Sequence, residues 1–172
     1  GTSTLTLSGV TSTQGILQAK AGTPLTLANA LSSGSWINIG GADSITFNGA
    51  MAGYNGNRVI TLTNAGTTTF NGNFDISTTV NRNLTISGTG DLVFNGAIAN
   101  GGTSGTLIKN STGVLTLNGN NTFSGGTSIN SGSVIVGSDS AFGTGNLTLT
   151  NVTISGNGSP RIINNTLSLT AT

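Results

Sequence analysis

Residues 113–157 read GVLTLNGNNTFSGGTSINSGSVIVGSDSAFGTGNLTLTNVTISGN, and this stretch carries the pattern that decides the fold. A short phrase returns within it: an apolar residue, a middle residue that is often threonine, a second apolar residue, and then Asn or Ser with Gly. Related phrases occur toward both ends of the chain. Sequence similarity that recurs at intervals of about 20 to 50 residues is typical of solenoids and other repeat architectures.

Nine such phrases can be aligned on their second apolar residue, at intervals of about 15 to 24 residues. The residue two positions before this anchor is apolar in eight of the nine phrases, and the residue between them carries a hydroxyl in seven. This alternation is typical of a strand with one buried face, so we expect the anchors to form a ladder in the core. The nine anchors are Leu7, Leu27, Phe47, Phe70, Phe94, Leu117, Val136, Ile154 and Leu169.

A turn signal follows most anchors, as at Ser8-Gly9, Asn48-Gly49, Asn71-Gly72, Asn95-Gly96 and Asn118-Gly119. Asn and Gly tolerate the positive φ of a sharp corner, although a single Asn-Gly equally suits a β-hairpin. A meander of hairpins does not require the same phrase to return at one-coil spacing. The sequence therefore favours an all-β solenoid of about eight to nine coils over a sandwich or meander, as one domain covering residues 1–172.

Stacked coils bring equivalent residues into contact. We expect Phe47, Phe70 and Phe94 to stack inside, although the same three rings on the outside would form a platform for sugar. The four asparagines at the corners also fall in register, where their amides can hydrogen-bond to the copies above and below.

The composition excludes several classes of function. Charged residues make up 5% of the chain, the formal net charge is +1, and there is neither His nor Cys. This charge is too small to attract nucleic acid or an anionic membrane surface. No apolar run approaches the roughly 20 residues of a membrane helix, so we expect no membrane insertion.

Residues 104–151 resemble the autotransporter-associated β-strand repeat, also called the passenger-associated transport repeat. The resemblance rests on the phrases GVLTLNGNNTF, SGGTSI, SGSVIVG and GTGNLTL, which together match most positions of the repeat motif. It implies a right-handed parallel β-helix in the exported part of a bacterial surface protein, and hence a secreted or cell-surface location. It also implies a membrane-spanning barrel after the repeats. Because these 172 residues contain none, we interpret the chain as either a passenger fragment or a stand-alone secreted protein.

Few residues could support catalysis. The carboxylates are Asp43, Asp75, Asp91 and Asp139. Asp43 and Asp91 are the one conceivable glycosidase pair, but they fall two coils apart, about 10 Å. We expect four dispersed surface charges, no catalytic residues, no metal site and no cofactor, and therefore no enzyme. Calcium sites in Gly-rich turns would need Asp where this chain has Asn and Ser. Glycosylation of the Asn-x-Ser/Thr sites stays open.

The two ends of a solenoid present unpaired strands. We expect self-association into a fibre through terminal strands, with other copies of the chain as partners. The candidate residues are Thr4, Leu5, Thr6, Leu7, Leu167, Ser168 and Leu169. The alternatives are a monomeric stalk of an adhesin-type passenger, and, less favoured, a β-helix that binds or cleaves carbohydrate; contacts with a glycan or a cell-surface receptor stay open.

Overall fold

The computed structural model describes residues 3–7, 15–78, 81–100 and 104–170, which form β-strands joined by turns and contain no helix. The predicted turn at Ser8 and Gly9 lies outside these residues. The strands are β1 (Leu5–Leu7), β2 (Ile16–Ala19), β3 (Leu25–Leu27), β4 (Leu31–Ser33), β5 (Trp36–Gly41), β6 (Ile45–Phe47), β7 (Arg58–Leu62), β8 (Thr68–Phe70), β9 (Phe74–Asp75), β10 (Arg82–Gly88), β11 (Leu92–Phe94), β12 (Ile98–Ala99), β13 (Gly105–Lys109), β14 (Val114–Leu117), β15 (Thr127–Ile129), β16 (Ser133–Val136), β17 (Leu147–Thr150), β18 (Thr153–Gly156) and β19 (Leu167–Thr170).

All the pairing between these strands is parallel, and it connects each strand with its equivalent in the next coil. An eight-stranded sheet has the order β19-β17-β15-β13-β10-β7-β5-β2, and a seven-stranded sheet has the order β18-β16-β14-β11-β8-β6-β3. A third side is formed by β1 with β4 and by β9 with β12, which isolated bridges through Met51 connect. The chain visits the eight-stranded sheet, the seven-stranded sheet and the third side in turn. The predicted all-β solenoid is therefore confirmed.

The number of coils is about seven, slightly fewer than the eight to nine predicted. The difference comes from the two terminal phrases, which lie in other sheets than the seven phrases between them. Strand β1 pairs with β4 on the third side, and β19 pairs with β17 in the eight-stranded sheet. Leu7 and Leu169 thus lie in incomplete turns at the two ends of the stack, and these add no complete coil to the seven.

The core ladder runs through the seven-stranded sheet. Pairing joins Leu27 to Phe47, and then Phe70, Phe94, Leu117 and Val136 in successive coils. At the last coil the structure departs from the predicted register, because Val136 pairs with Gly156 and Ile154 pairs with Val134. Ile154 therefore lies two residues away from the predicted rung.

The phenylalanines of this ladder lie inside the solenoid. Phe70 stacks on Phe47 with ring centroids 4.7 Å apart and on Phe94 with centroids 5.3 Å apart. Phe74, from the third side, meets both Phe70 and Phe94 edge-on at 5.3 Å. All four side chains are buried, so the rings are a core stack and not an exposed platform for sugar.

Thr68 is polar at the position two residues before the anchor, where the other eight phrases have an apolar residue. Thr68 is buried, and its hydroxyl donates a hydrogen bond of 3.3 Å to Asn64 Oδ1. Asn64 in turn donates through Nδ2 to Gly66 O at 2.5 Å. A buried hydroxyl without a partner would be costly, so this local network explains why threonine is tolerated here.

Truncating the centre of the aromatic stack should be strongly destabilising. We expect Phe70→Ala to lower the free energy of unfolding by about 3 to 5 kcal/mol, because it removes a ring that contacts three others and leaves a cavity. The neighbouring Thr69→Ala, on the outward face of the same strand, should cost less than about 1 kcal/mol. Chemical denaturation of both variants checks this, and equal losses would contradict the stacked core.

Candidate functional site

An exposed column of asparagine side chains follows the seven-stranded sheet at one corner of the solenoid. We call Asn48, Asn71, Asn95 and Asn118 the asparagine ladder. Asn71 Nδ2 donates to Asn48 Oδ1 at 2.7 Å, Asn95 Nδ2 donates to Asn71 Oδ1 at 2.7 Å, and Asn118 Nδ2 donates to Asn95 Oδ1 at 2.8 Å. Side-chain amides thus connect four successive coils, which is the arrangement that stacked in-register asparagines favour.

A second polar column follows the eight-stranded sheet near the C-terminal end of the described chain. Asn130 Nδ2 donates to Asn110 Oδ1 at 2.8 Å. The hydroxyls of Thr150 and Thr170 are hydrogen-bonded to each other at 2.6 Å. These contacts add side-chain hydrogen bonds to the backbone pairing of the same coils.

Asn121, a residue of the motif NNTF, joins three coils from a buried position. Its Oδ1 accepts the Ile98 N–H at 2.7 Å, and its Nδ2 donates to Ala141 O at 2.6 Å. Strand pairing on the third side ends at β12 among the described residues. The Asn121 amide therefore bonds to backbone groups where no third-side strand has formed.

Two cations, neither of them predicted from the sequence, are fully buried inside the solenoid. Lys109 has no exposed surface, and its Nζ donates to Ser111 O at 2.6 Å and to Ser131 O at 2.8 Å. Gly132 leaves room for the ammonium group, since a Cβ at Gly132 would lie 2.6 Å from Nζ. Lys109 thus joins the corners of two consecutive coils through their carbonyls.

Arg58 acts in the same way on the third side. Its guanidinium donates to Asp75 O at 3.1 Å, Ser33 O at 3.3 Å and Ala52 O at 3.1 Å. Its Cζ also lies 5.4 Å from the centre of the Phe74 ring and 5.8 Å from that of Tyr54. The three carbonyls come from three successive coils, so a single side chain connects them.

Burial shifts the protonation equilibrium of both cations. Desolvation lowers the pKa of Lys109 to about 8, and the charge of Asp91 offsets part of this shift. Desolvation also lowers the pKa of Arg58 to about 10, opposed by Tyr54 and Asp75. Both side chains occupy inward positions of the alternating strands RVITL and GTLIK, and this alternation is the signal that could have located them.

The four carboxylates are not brought together. Strand β8 lies between the strands that follow Asp43 and Asp91, so these two acids are two coils apart. Asp43 accepts the Gly22 N–H, and Asp91 Oδ1 accepts the Val114 N–H at 2.8 Å. Asp139 accepts the Ile162 N–H at 3.3 Å and pairs with Arg161 at 3.9 Å. At least these three acids bond to backbone groups of neighbouring coils.

Two other features are absent from the same described residues, a cluster of metal ligands and a membrane-spanning helix. Within 3–7, 15–78, 81–100 and 104–170, no three His, Cys, Asp or Glu side chains are grouped so as to hold a metal ion. That part of the chain also has no helix long and apolar enough to cross a membrane.

The predicted self-association strands lie on different sides of the solenoid. Thr4 precedes β1, which contains Leu5, Thr6 and Leu7 and pairs only with β4 among the described strands. Leu167, Ser168 and Leu169 lie in β19, the last strand of the eight-stranded sheet, and Leu167 and Leu169 are exposed. The first strand of that same sheet is β2 and not β1, and its Ile16 is also exposed.

The protein is a parallel β-solenoid in which the asparagine ladder, Asn121 and the two buried cations connect one coil to another. Residues 107–136 match the family model of the passenger-associated-transport-repeat, which confirms the resemblance drawn from the sequence. The matched segment contains β14, β15 and β16, together with Lys109, Asn121 and Gly132. No curated protein and no solved structure was found to match the chain.

The buried ammonium of Lys109 gives the folding stability a defined pH dependence. Its pKa is about 8 in the folded chain and near the ordinary value of 10.5 in the unfolded chain. Between these values the unfolded chain holds a proton that the folded chain has released, so the free energy of unfolding should rise with pH from about 8 to about 10.5. The neutral amine keeps two N–H groups, enough for both carbonyls.

Urea unfolding at a series of pH values measures this effect. Lys109→Met should lack the rise, whereas Lys20→Met, which removes an exposed lysine, should keep it. An identical pH profile for the native chain and Lys109→Met would show that the ammonium is not buried in the way described.

Proposed function

We propose that the chain is a stiff structural segment of an exported bacterial surface protein, in which the solenoid acts as a spacer. The observation that carries the proposal is the uninterrupted parallel pairing from β2 to β19 in the eight-stranded sheet, with the passenger-associated-transport-repeat inside it. Pairing through every coil gives a rod whose length grows by about 4.8 Å per coil.

Two further observations support a structural role. Repeats of this kind occur in autotransporter passengers, which are secreted or displayed at the cell surface. In addition, acidic and basic side chains that acid–base catalysis would require form hydrogen bonds with the backbone, as Asp91 and Lys109 show. We therefore propose that the segment works without catalysis.

Surface display in a Gram-negative host tests the spacer. The chain is placed between a protease-sensitive epitope and the membrane-anchoring domain of an autotransporter. We expect the epitope to be cleaved by protease added to intact cells. Leu115→Asp, which places a charge in the core of the repeat, should reduce this exposure several-fold, whereas Thr116→Asp on the outward face should not.

Two results would count against this role. One is an epitope that stays protected on intact cells although the fusion is produced at a normal level. The other is equal exposure for the Leu115→Asp and Thr116→Asp fusions, because export would then be independent of the folded repeat.

A specific observation also favours self-association as a second candidate function. Among the described residues, the exposed large apolar side chains are Ile16 on β2, at one end of the stack, and Ile162, Leu167 and Leu169 at the other. Leu169 has 74% of its surface exposed. We propose that copies of the chain associate end to end, and that the eight-stranded sheet continues from β19 of one copy to β2 of the next.

Sedimentation of the isolated chain over a range of concentrations tests this association. We expect oligomers that grow with concentration, that are lost in Leu169→Asp, and that persist in the outward control Thr116→Asp. A monomer at all concentrations, or oligomers that survive Leu169→Asp, would contradict end-to-end association and would leave the spacer proposal intact.

A further inference from the structure

Each residue of the asparagine ladder is followed by glycine, at Gly49, Gly72, Gly96 and Gly119. The stacking requires these glycines, because a Cβ at Gly72 would lie 2.5 Å from Gly49 O and one at Gly96 would lie 2.3 Å from Gly72 O. Asn-Gly is also the dipeptide in which the following backbone nitrogen can most easily reach the asparagine Cγ, since glycine has no side chain to hinder it. The fold thus places four chemically labile dipeptides on its surface.

The hydrogen bonds of the ladder all run in one direction. In Asn71, Asn95 and Asn118, Nδ2 donates to the asparagine of the preceding coil. Asn48 differs, because its own preceding coil has Ala28 at this position, next to the Leu27–Phe47 pair. The alanine side chain has no acceptor, and no acceptor among the described residues receives the Asn48 Nδ2. Asn48 therefore takes part in the ladder only as an acceptor.

We propose that Asn48 is a deamidation site of the folded protein and that the ladder protects Asn71, Asn95 and Asn118. The Gly49 nitrogen gives up its proton to base and attacks Asn48 Cγ, forming an N–C bond. The Cγ–Nδ2 bond breaks, and Nδ2 leaves as ammonia. Water then opens the resulting imide at either carbonyl and gives aspartate or isoaspartate at position 48. No oxidant or reductant takes part.

The ladder makes Asn48 differ from the other three sites both in the ring-closure step and in the effect of the product. At Asn71, Asn95 and Asn118, the nitrogen that must leave is held in a hydrogen bond, and rotating the amide toward the backbone nitrogen would break that bond. At Asn48 the amide nitrogen is held by none of the described acceptors. The Asn48 carboxamide can therefore rotate into the position in which the Gly49 nitrogen attacks Cγ. This rotation breaks at most the hydrogen bond that Asn48 Oδ1 accepts from Asn71.

The products differ as well. An aspartate at position 48 still accepts from Asn71 Nδ2, and its charge strengthens that hydrogen bond. An aspartate at position 71, 95 or 118 has lost the donor and places a carboxylate oxygen against Oδ1 of the preceding asparagine. Conversion to aspartate therefore preserves the ladder at its first position and disrupts it at the other three.

Incubation of the folded chain at mildly alkaline pH, followed by peptide mapping with mass spectrometry, tests the proposal. We expect conversion at Asn48 at least several-fold faster than at Asn71, Asn95 or Asn118. The same incubation in concentrated urea, which unfolds the chain, should bring the four rates close together. Equal rates in the folded chain, or a faster rate at any of the other three sites, would overturn it.

Two matched variants test the product side without waiting for the reaction. Asn48→Asp and Asn95→Asp make the same chemical change at equivalent exposed corners. We expect Asn48→Asp to leave Tm unchanged or raised, and Asn95→Asp to lower Tm by about 2 to 4 °C. An equal loss of Tm in both variants would show that the direction of the ladder does not matter.

Discussion

Parallel in-register pairing between consecutive coils is the constraint on which the rest of the structure depends. Each residue lies directly above its equivalent in the previous coil. A residue type that packs or hydrogen-bonds well with its own copies can therefore recur in successive coils, and one that clashes disturbs the coils on both sides. The phenylalanines, the asparagines and the corner glycines each form a column for this reason. A side chain at Gly96 would collide with Gly72 O, so the glycines of this corner constrain one another.

The same constraint explains which parts of the architecture the sequence could predict. The rungs from Leu27 to Val136 repeat both the apolar alternation and the turn, so their spacing is visible in the sequence. The sequence does not reveal which sheet the end phrases belong to, because the same pattern Leu-Thr-Leu occurs in β1 on the third side and in β3 of the seven-stranded sheet. The predicted rung at Ile154 is two residues out of register, because the residue that pairs with Val136 is Gly156, which has no apolar side chain to mark it.

The buried cations show what periodicity alone does not reveal. A solenoid of short strands bends at every corner, and the carbonyls there point in directions that strand pairing does not use. Lys109 and Arg58 bring donors to these carbonyls from the core side, at the cost of removing a charge from water. Neither cation has an ionised partner in direct contact among the described residues, so each depends on backbone oxygens of more than one coil. Disturbing the coil stacking would therefore remove hydrogen bonds that compensate for taking these two charges out of water, and would lower the stability of the fold.

The spacing of the coils is the quantity that tests this account most directly. The chain has no cysteine, so pairs of cysteines can be introduced and spin-labelled without background. Thr26, Thr116 and Ser155 share one outward column of the seven-stranded sheet. Pulsed electron paramagnetic resonance should give about 19 Å between positions 26 and 116, four coils apart, and about 29 Å between 26 and 155, six coils apart. Distances that do not grow in proportion to the number of coils would contradict the solenoid.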